Sequence, residues 1–554
     1  MSIQIFLQGK FQGVRDFLES PLPASDPAQA ERVFIGRSWW IALLSETLPR
    51  ALLAEFGLSR MLLGSSGGGQ FMLVLPAEAQ AKAEEFLAAA QADIAALSGG
   101  YLKLNWATTE NLGDWAIVRR RLRDAMNAKR GAPLGAVLAP SNGPAPAVAP
   151  QAEAVPDEAA TAADPAPVEG EIPAQAAESS AAASATAPEL PVVASTPSPF
   201  LPDAMQTAPE VSEYFSELAA ALLEQKSVGW SAEAPGRVLL GSGKHVWAIG
   251  PEMDQVPFTR HIALSDDGHK PVASCGLAGR AQGSKVWGVL RGDVDNFEVR
   301  MRRAQSIEEH VQVSVLYKQF FAGELEVLCS MPEFWRKVTI LYTGGDDFAA
   351  FGAWDSLILL ARELQRLFRR FGEQSLKDFP GGEAKTISMS LALAADSQAT
   401  LASVYQEAGR MLEGAKCSSR DSFSLLGRVL EWRQVAGASD LKDTMVKIAQ
   451  EFGGSTQFLR ELAAFYREEV FSPVNTPRKR EGELEKPWRL HRRVLRVLPP
   501  ARDRELEKLR NSLISELVGK NASQIKLRPA GRVALEWARL LTEPAQGPPG
   551  APGE

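Results

Sequence analysis

Apolar positions along this chain change their period in an order that occurs twice. Near the N-terminus, "IQIFLQG" reads as a short strand, and "SWWIALLSETLPRALLAEFG" spaces its apolar residues as a helix does. Two apolar runs, "RMLLGS" and "QFMLVLP", then flank a glycine turn. A helix over "AEAQAKAEEFLAAAQADIAAL" and a strand over "YLKLNWA" complete the set. Further along, "KVWGVLRGDVDNF" is a buried strand, and "EVRMRRAQSIEEHVQVSVLYKQFFAGEL" predicts one long amphipathic helix. The hairpin "KVTILYTGGDDFAAFG", the helix "AWDSLILLARELQRLFRRFG", the strand "AKTISMSLALA" and the helix "LASVYQEAGRMLEGAK" follow. Strand–helix–strand–strand–helix–strand is the split βαβ, or ferredoxin-like, order, and two copies in one chain read as an internal duplication. The last stretch, Val429 to about Leu541, has mainly helical periodicity.

Composition sets the boundaries. From Gly131 to Gln225 there is no Lys or Arg, and from Gly131 to Pro199 no aromatic residue; Ala and Pro dominate. Such a segment cannot bury enough apolar surface to offset its ordering entropy, so a disordered linker is expected. The expected fold class is α+β: two ferredoxin-like domains, an α-helical C-terminal domain and the Ala/Pro-rich linker. The expected divisions are 1–129, the linker 130–205, a connecting domain 206–283, the second domain 284–428, helices over 429–541 and a Pro/Gly-rich tail 542–554.

At 554 residues, with 45% hydrophobic and 23% charged residues, the chain has the size and balance of a multidomain globular protein. No run of about 18 apolar residues is present, so no membrane span is expected. The N-terminus lacks the basic and apolar regions of a secretion signal. Three widely spaced cysteines form neither a disulfide framework nor a zinc ribbon and fit a reducing cytoplasm. A net charge of −7 argues against wholesale coating of nucleic acid. Locally, Arg478–Arg496 carries eight Lys/Arg against three Glu, a net of +5, with Arg489, Arg492 and Arg493 as candidate nucleic-acid phosphate contacts. A solvated helix face, or a contact with acidic neighbouring subunits, explains the same pattern.

The charged hairpin carries the chemistry. Asp346 and Asp347 follow Gly344 and Gly345, whereas the corresponding turn "SSGGGQF" has Gly69 and Gln70 in the aspartate places. Ferredoxin-like sheets set the end of the first strand beside this turn, and that strand ends with Asp293 and Asp295 on one face. Several carboxylates at one sheet edge repel each other unless a cation joins them, and oxygen ligands suit Mg²⁺ or Mn²⁺. Two such metals clamp the attacking and leaving oxygens of an in-line phosphoryl or nucleotidyl transfer. Gly344 and Gly345 would permit a tight turn and close approach to a triphosphate. The competing reading is an ordinary Gly-Asp turn in which Asp bonds the backbone; Asp295 in particular could hydrogen-bond the turn instead of a metal.

The motifs "RGDVDNF", "YKQFF", "YTGGDDF" and "MLEGAK", with "KFQGVRDFL", "IGRSWWIALLSE" and "SSGGGQF" in the N-terminal half, resemble the large subunit of type III CRISPR–Cas effector complexes, in its subtype III-A form. That resemblance implies two Palm domains and a nucleotide cyclase-like polymerase that joins ATP into cyclic oligoadenylate. It implies Asp293, Asp346 and Asp347 as ligands of two Mg²⁺ or Mn²⁺ ions, with the Val294 carbonyl contributing. Gly344, Gly345, Asn296 and Lys416 are implied in ATP binding; for Lys416 a solvated helix-end lysine is the alternative. The first Palm would bind ATP without catalysing, or only support the second. Implied partners are the backbone, small and guide-tag-capping subunits, guide RNA and target RNA, in the cytoplasm and without a membrane. The family often carries an HD nuclease domain, but none of the five histidines here is followed by Asp, so no DNase activity is expected. The family's four-cysteine zinc site between the Palms is also missing. A stand-alone cyclic mono- or dinucleotide synthase and a catalytically silent scaffold remain open as alternatives.

Overall fold

The computed structural model describes residues 4–21, 27–111, 113–130, 209–250, 252, 254–379, 381–396, 398–451, 457–468, 492, 496–498, 502–517 and 529–542. The Ala/Pro-rich segment, Arg489, Arg493 and the C-terminal tail lie outside them. Strand β1 (Gln4–Gln12) buries Ile5, Leu7 and Phe11 and leads into α1 (Val14–Glu19) and α2 (Pro27–Glu55). The hairpin β2 (Leu63–Gly67) and β3 (Gln70–Pro76) follows, then α3 (Gln80–Leu97), β4 (Lys103–Glu110) and α4 (Trp115–Arg130). All pairings are antiparallel, in the order β2-β3-β1-β4. Helix α2 buries Trp39, Trp40, Leu43 and Leu44 together because it is covered on more than one side: it packs against its own sheet and also reaches the strand Val338–Thr343 of the second half.

A connecting region holds α5 (Pro209–Ala221), the small antiparallel sheet of β5 (Ser227–Trp230), β6 (Leu239–Leu240) and β7 (His245–Ala248), and α6 (Ser274–Gly279). The second half runs β8 (Trp287–Val294), α7 (Phe297–Arg303), α8 (Ile307–Gln319), a π-helical turn Phe320–Glu324 and α9 (Leu325–Cys329). It continues through β9 (Val338–Thr343), β10 (Asp347–Ala353), α10 (Trp354–Gln374), β11 (Ile387–Leu393) and α11 (Leu401–Ser418), and ends in β12 (Ser422–Leu425) and β13 (Arg428–Glu431). Its strand order, β13-β12-β11-β8-β10-β9, contains the β2-β3-β1-β4 neighbour pattern as β9-β10-β8-β11. The correspondence extends to the backbone. Gly13 (φ 79°) and Asn296 (φ 59°), each just past the first strand, are both left-handed and both open a helix.

Two expectations need correction. The single long helix expected after β8 is broken. Ser306 caps a new helix by accepting from the Glu309 amide at 3.2 Å, and the carbonyls of Met301 and Ala304 accept from Arg119 Nη1 of α4 instead of from a following turn. The boundary expected at residue 428 falls inside the second sheet, since β13 pairs with β12 through Glu431. Helices α12 (Trp432–Glu451), α13 (Gln457–Glu468), α14 (Arg504–Leu517) and α15 (Pro529–Thr542) then pack onto the core of the second half.

The halves are joined through a buried ion cluster. Glu46 on α2 accepts from Arg50 Nη1 at 2.6 Å and from Lys318 Nζ of α8, and Ser66 of β2 donates to the same carboxylate at 3.0 Å. Burial pushes the Glu46 carboxyl up, but Lys318 and Arg50 outweigh it, and the net shift is downward. Removing one member strands a buried charge. Lys318→Met should therefore cost on the order of 3 kcal/mol, read as a lower denaturant midpoint, whereas Arg366→Met, in an exposed pair with Glu363, should stay within about 0.5 kcal/mol.

Candidate functional site

Antiparallel register brings the acids together. Strand β10 pairs with β8 so that Asp347 stands directly opposite Asp293. The Val294 amide donates to the Asp346 carbonyl at 2.9 Å, tying the hairpin tip to the end of β8. Side chains opposed in this way sit roughly 5 Å apart, and like charges there repel. The Gly344 amide donates to the Asp347 carbonyl at 2.7 Å. A β-carbon on Gly344 would lie 1.9 Å from Asp347 Oδ1, so any larger residue would displace the carboxylate from its present position. The two glycine turns differ in backbone: Gly67, Gly68 and Gly69 all have positive φ, and neither Gly344 nor Gly345 does. Their tips meet. A β-carbon on Gly68 would approach the Gly345 nitrogen to 3.0 Å.

All three carboxylates hold protons more tightly than usual. Burial raises Asp293 to about 6 against the pull of Lys416, whose Nζ lies 2.7 Å from Asp293 Oδ1. Asp346 is pushed well above the ordinary range by burial and by the charges of Asp347 and Asp293, with Lys416 and Lys10 opposing. Asp347 is raised by burial, which outweighs a 3.0 Å hydrogen bond donated by the Tyr342 hydroxyl and the nearby Arg291 charge. Asp295 has a different fate. Its carboxylate accepts from Thr386 Oγ1 (2.9 Å), Ser388 Oγ (2.7 Å) and the Asp421 amide (2.9 Å), and it is 2% exposed, so it braces β8 against β11.

Lys416, near the end of α11, is therefore not a solvated helix-end lysine: it is the counter-ion of Asp293. Asn296 opens α7 and does not line the cavity described next; Val294 is buried. Arg492 is exposed, and Arg489 and Arg493 lie outside the described residues. A cavity of about 480 Å³ opens between the two halves. Asp293, Asp347, Gly344 and Tyr405 line it from the second, and Ser38 and Gly68 from the first. Its size is that of a small-molecule site. Arg291, Tyr342 and Tyr405 are cavity residues that the motif reading passed over. Arg291 stacks 4.2 Å from the Tyr405 ring centroid and lies two residues before Asp293, so strand alternation alone places it on the same face.

An all-oxygen donor set of three crowded, proton-avid carboxylates suits Mg²⁺ or Mn²⁺. As the side chains stand, no three His, Cys, Asp or Glu groups converge at coordinating distance among the described residues. A lysine, and not a second carboxylate, meets Asp293. The chemistry of the set fits a divalent cation, with Lys416 giving up its hold on Asp293.

Comparison with known proteins concentrates on the same region. Residues 286–424 match the family model of the second palm domain of Cas10/Cmr2. The CRISPR system single-strand-specific deoxyribonuclease Cas10/Csm1 (subtype III-A) of Enterococcus italicus is 32% identical over 94 residues, 16% of this chain and 12% of that protein. The protein of the same description from Streptococcus thermophilus is 28% identical over 152 residues, 26% of this chain and 18% of its own length. These matches thus span less than a fifth of the relatives. In fold, 98% of the chain superposes on crystal structures of a Csm1–Csm4 cassette with AMPPNP (TM-score 0.63, 15% identity, 69% of that chain) and with cA4 (0.63, 14%, 70%). The family resemblance carried by the sequence motifs is borne out.

Two measurements check the site. A group whose folded pKa is raised stabilises the fold below its unfolded value, about 3.9 for Asp, and loses that stabilisation as pH rises through the folded value. In EDTA, stability should therefore fall between about pH 4 and 6 in an Asp293-dependent way, and Asp293→Asn should flatten that slope in a pH series of thermal melts. Tyr342→Phe removes the hydroxyl that orients Asp347, and Mg²⁺ affinity measured by calorimetry should drop about tenfold.

Proposed function

We propose that this chain is the Palm-type large subunit of a type III CRISPR effector complex, converting ATP to cyclic oligoadenylate when a guide directs it to target RNA. The observation that carries this reading is the pair Asp293 and Asp347, opposed across β8 and β10 at the wall of an inter-half cavity of nucleotide size. Bound there, Mg²⁺ or Mn²⁺ ions would neutralise the carboxylates and polarise phosphate oxygens for in-line nucleotidyl transfer. The chain's own residues supply the rest. Asp293, Asp346 and Asp347 hold the cations, Tyr342 orients Asp347, and Lys416 trades its carboxylate partner for a triphosphate oxygen. Gly344 keeps the turn clear of side chains beside Asp347, and the first Palm closes the cavity through Gly68 and Ser38.

Solved Csm1–Csm4 structures with AMPPNP, with cA4 and with one ATP support ATP as substrate and a Csm4-type subunit as partner. The basic stretch with Arg489, Arg492 and Arg493 is the proposed RNA-phosphate contact. The deoxyribonuclease activity in the relatives' names is not carried over, because no histidine here is followed by Asp. Among the described residues no helix is long and apolar enough to cross a membrane. One observation favours a second reading, a silent scaffold: Asp293 is already satisfied by Lys416.

The test is a product assay on the complex recovered through this chain, given ATP, Mg²⁺ or Mn²⁺ and complementary target RNA. Cyclic oligoadenylates should form, and Asp346→Ala/Asp347→Ala should remove them from the mass spectrum. A guide-loaded, target-bound complex without product would leave the scaffold.

A further inference from the structure

In the first half, Lys10 holds the place that Asp293 holds in the second. Lys10 on β1 stands opposite Gln70 on β3, as Asp293 on β8 stands opposite Asp347 on β10. Three residues further on, the left-handed Gly13 and Asn296 open α1 and α7 in the same way. The duplicated strand end therefore carries an ammonium where its counterpart carries a carboxylate, and a neutral amide faces it. This arrangement repels a metal ion and attracts an anion.

Where that ammonium lies follows from the contact of the two hairpins. The Phe11 amide, next to Lys10, donates to the Gly69 carbonyl at 2.8 Å, which ties the first hairpin's tip to the end of β1. The same tip abuts the second at Gly68 and Gly345. Lys10 is thus anchored beside the tip that meets Gly345, one residue from Asp346, as Lys416 stands beside Asp293. The two lysines differ in one respect. Lys416 is engaged with Asp293 at 2.7 Å, whereas Lys10 is half-buried and makes no ion pair among the described residues.

We propose that Lys10 is a phosphate-binding residue supplied by the first half to the carboxylate site of the second, taking an anionic oxygen of a nucleoside triphosphate seated against Asp346 and Asp347. This rests on the triphosphate reading of that site. Three carboxylates and a triphosphate bring more negative charge than two divalent cations cancel, and a cation on the opposite wall offsets the remainder. A lysine suits the task because it is a compact point charge on a flexible stem that reaches across an interface. The first half has thus exchanged metal binding for anion binding at its strand end.

Calorimetric titration of the full-length chain in Mg²⁺ tests this, with adenosine 5′-(α,β-methylene)triphosphate and plain adenosine as probes. Lys10→Met should weaken the triphosphate analogue about tenfold and leave adenosine unchanged. Lys10→Arg should restore most of the affinity, and Lys10→Glu should lose more than Lys10→Met. In the assembled complex, the KM for ATP should rise in Lys10→Met with kcat nearly constant. Wild-type affinity for the analogue in Lys10→Met, or a parallel loss of adenosine, would overturn the proposal; the latter would mark Lys10 as a structural residue only. Binding needs no turnover, so the two readings fail separately. Lys10-dependent binding in a complex without product would remove the oligoadenylate reading alone, and product at an unchanged KM from Lys10→Met would remove this one alone.

Discussion

The antiparallel register that sets Asp347 against Asp293 is the constraint on which the rest of the site depends. Two carboxylates opposed on a half-buried sheet face, with a third at the hairpin tip, are unfavourable as they stand. The surrounding groups read as responses to that cost. Lys416 bonds Asp293, Tyr342 donates to Asp347, and Arg291, held over the Tyr405 ring, adds its charge. Gly344 leaves the space that the Asp347 carboxylate needs. Asp295, only two residues from Asp293, escapes the crowding because two hydroxyls and an amide satisfy it. Adjacent carboxylates on one strand face thus divide into one that braces the sheet and one that carries charge into the cavity.

A repeated strand order supplies the scaffold, and the chemistry lies in the differences between the halves. Both sheets share the strand order and the left-handed residue opening the first helix. At the strand end, however, the first half has Lys10 opposite Gln70 where the second has Asp293 opposite Asp347. Even the two glycine turns are built differently, with positive φ at three glycines in one and at neither glycine in the other. The halves are held in step by the buried cluster of Glu46, Arg50, Lys318 and Ser66, which lies under the first hairpin and joins it to α8 of the second half. A β-carbon on Gly67 would come within 3.5 Å of Glu46 Oε1, so the same cluster supports the tip that meets Gly345. One ion network thereby couples the interface to the position of the charged hairpin.

Much of this was legible in the chain itself. Periodicity located most strands and helices of both halves, because period-2 and period-3.6 burial leave direct marks on residue order. Glycines followed by aspartates marked a charged hairpin, and alternation put Asp293 on the face it occupies. Sequence determined which residue types were present and at what local spacing. Tertiary structure alone decided how they were used. Lys416 became the partner of Asp293 because α11 packs over β8 across more than a hundred residues of chain. The long helix expected after β8 broke because Arg119, from the other half, claims the carbonyls of Met301 and Ala304. Lys10 reads as an ordinary strand lysine until the two hairpins are brought tip to tip. Local patterns report the backbone period, whereas pairings between distant segments depend on registers and interfaces that no window of sequence contains.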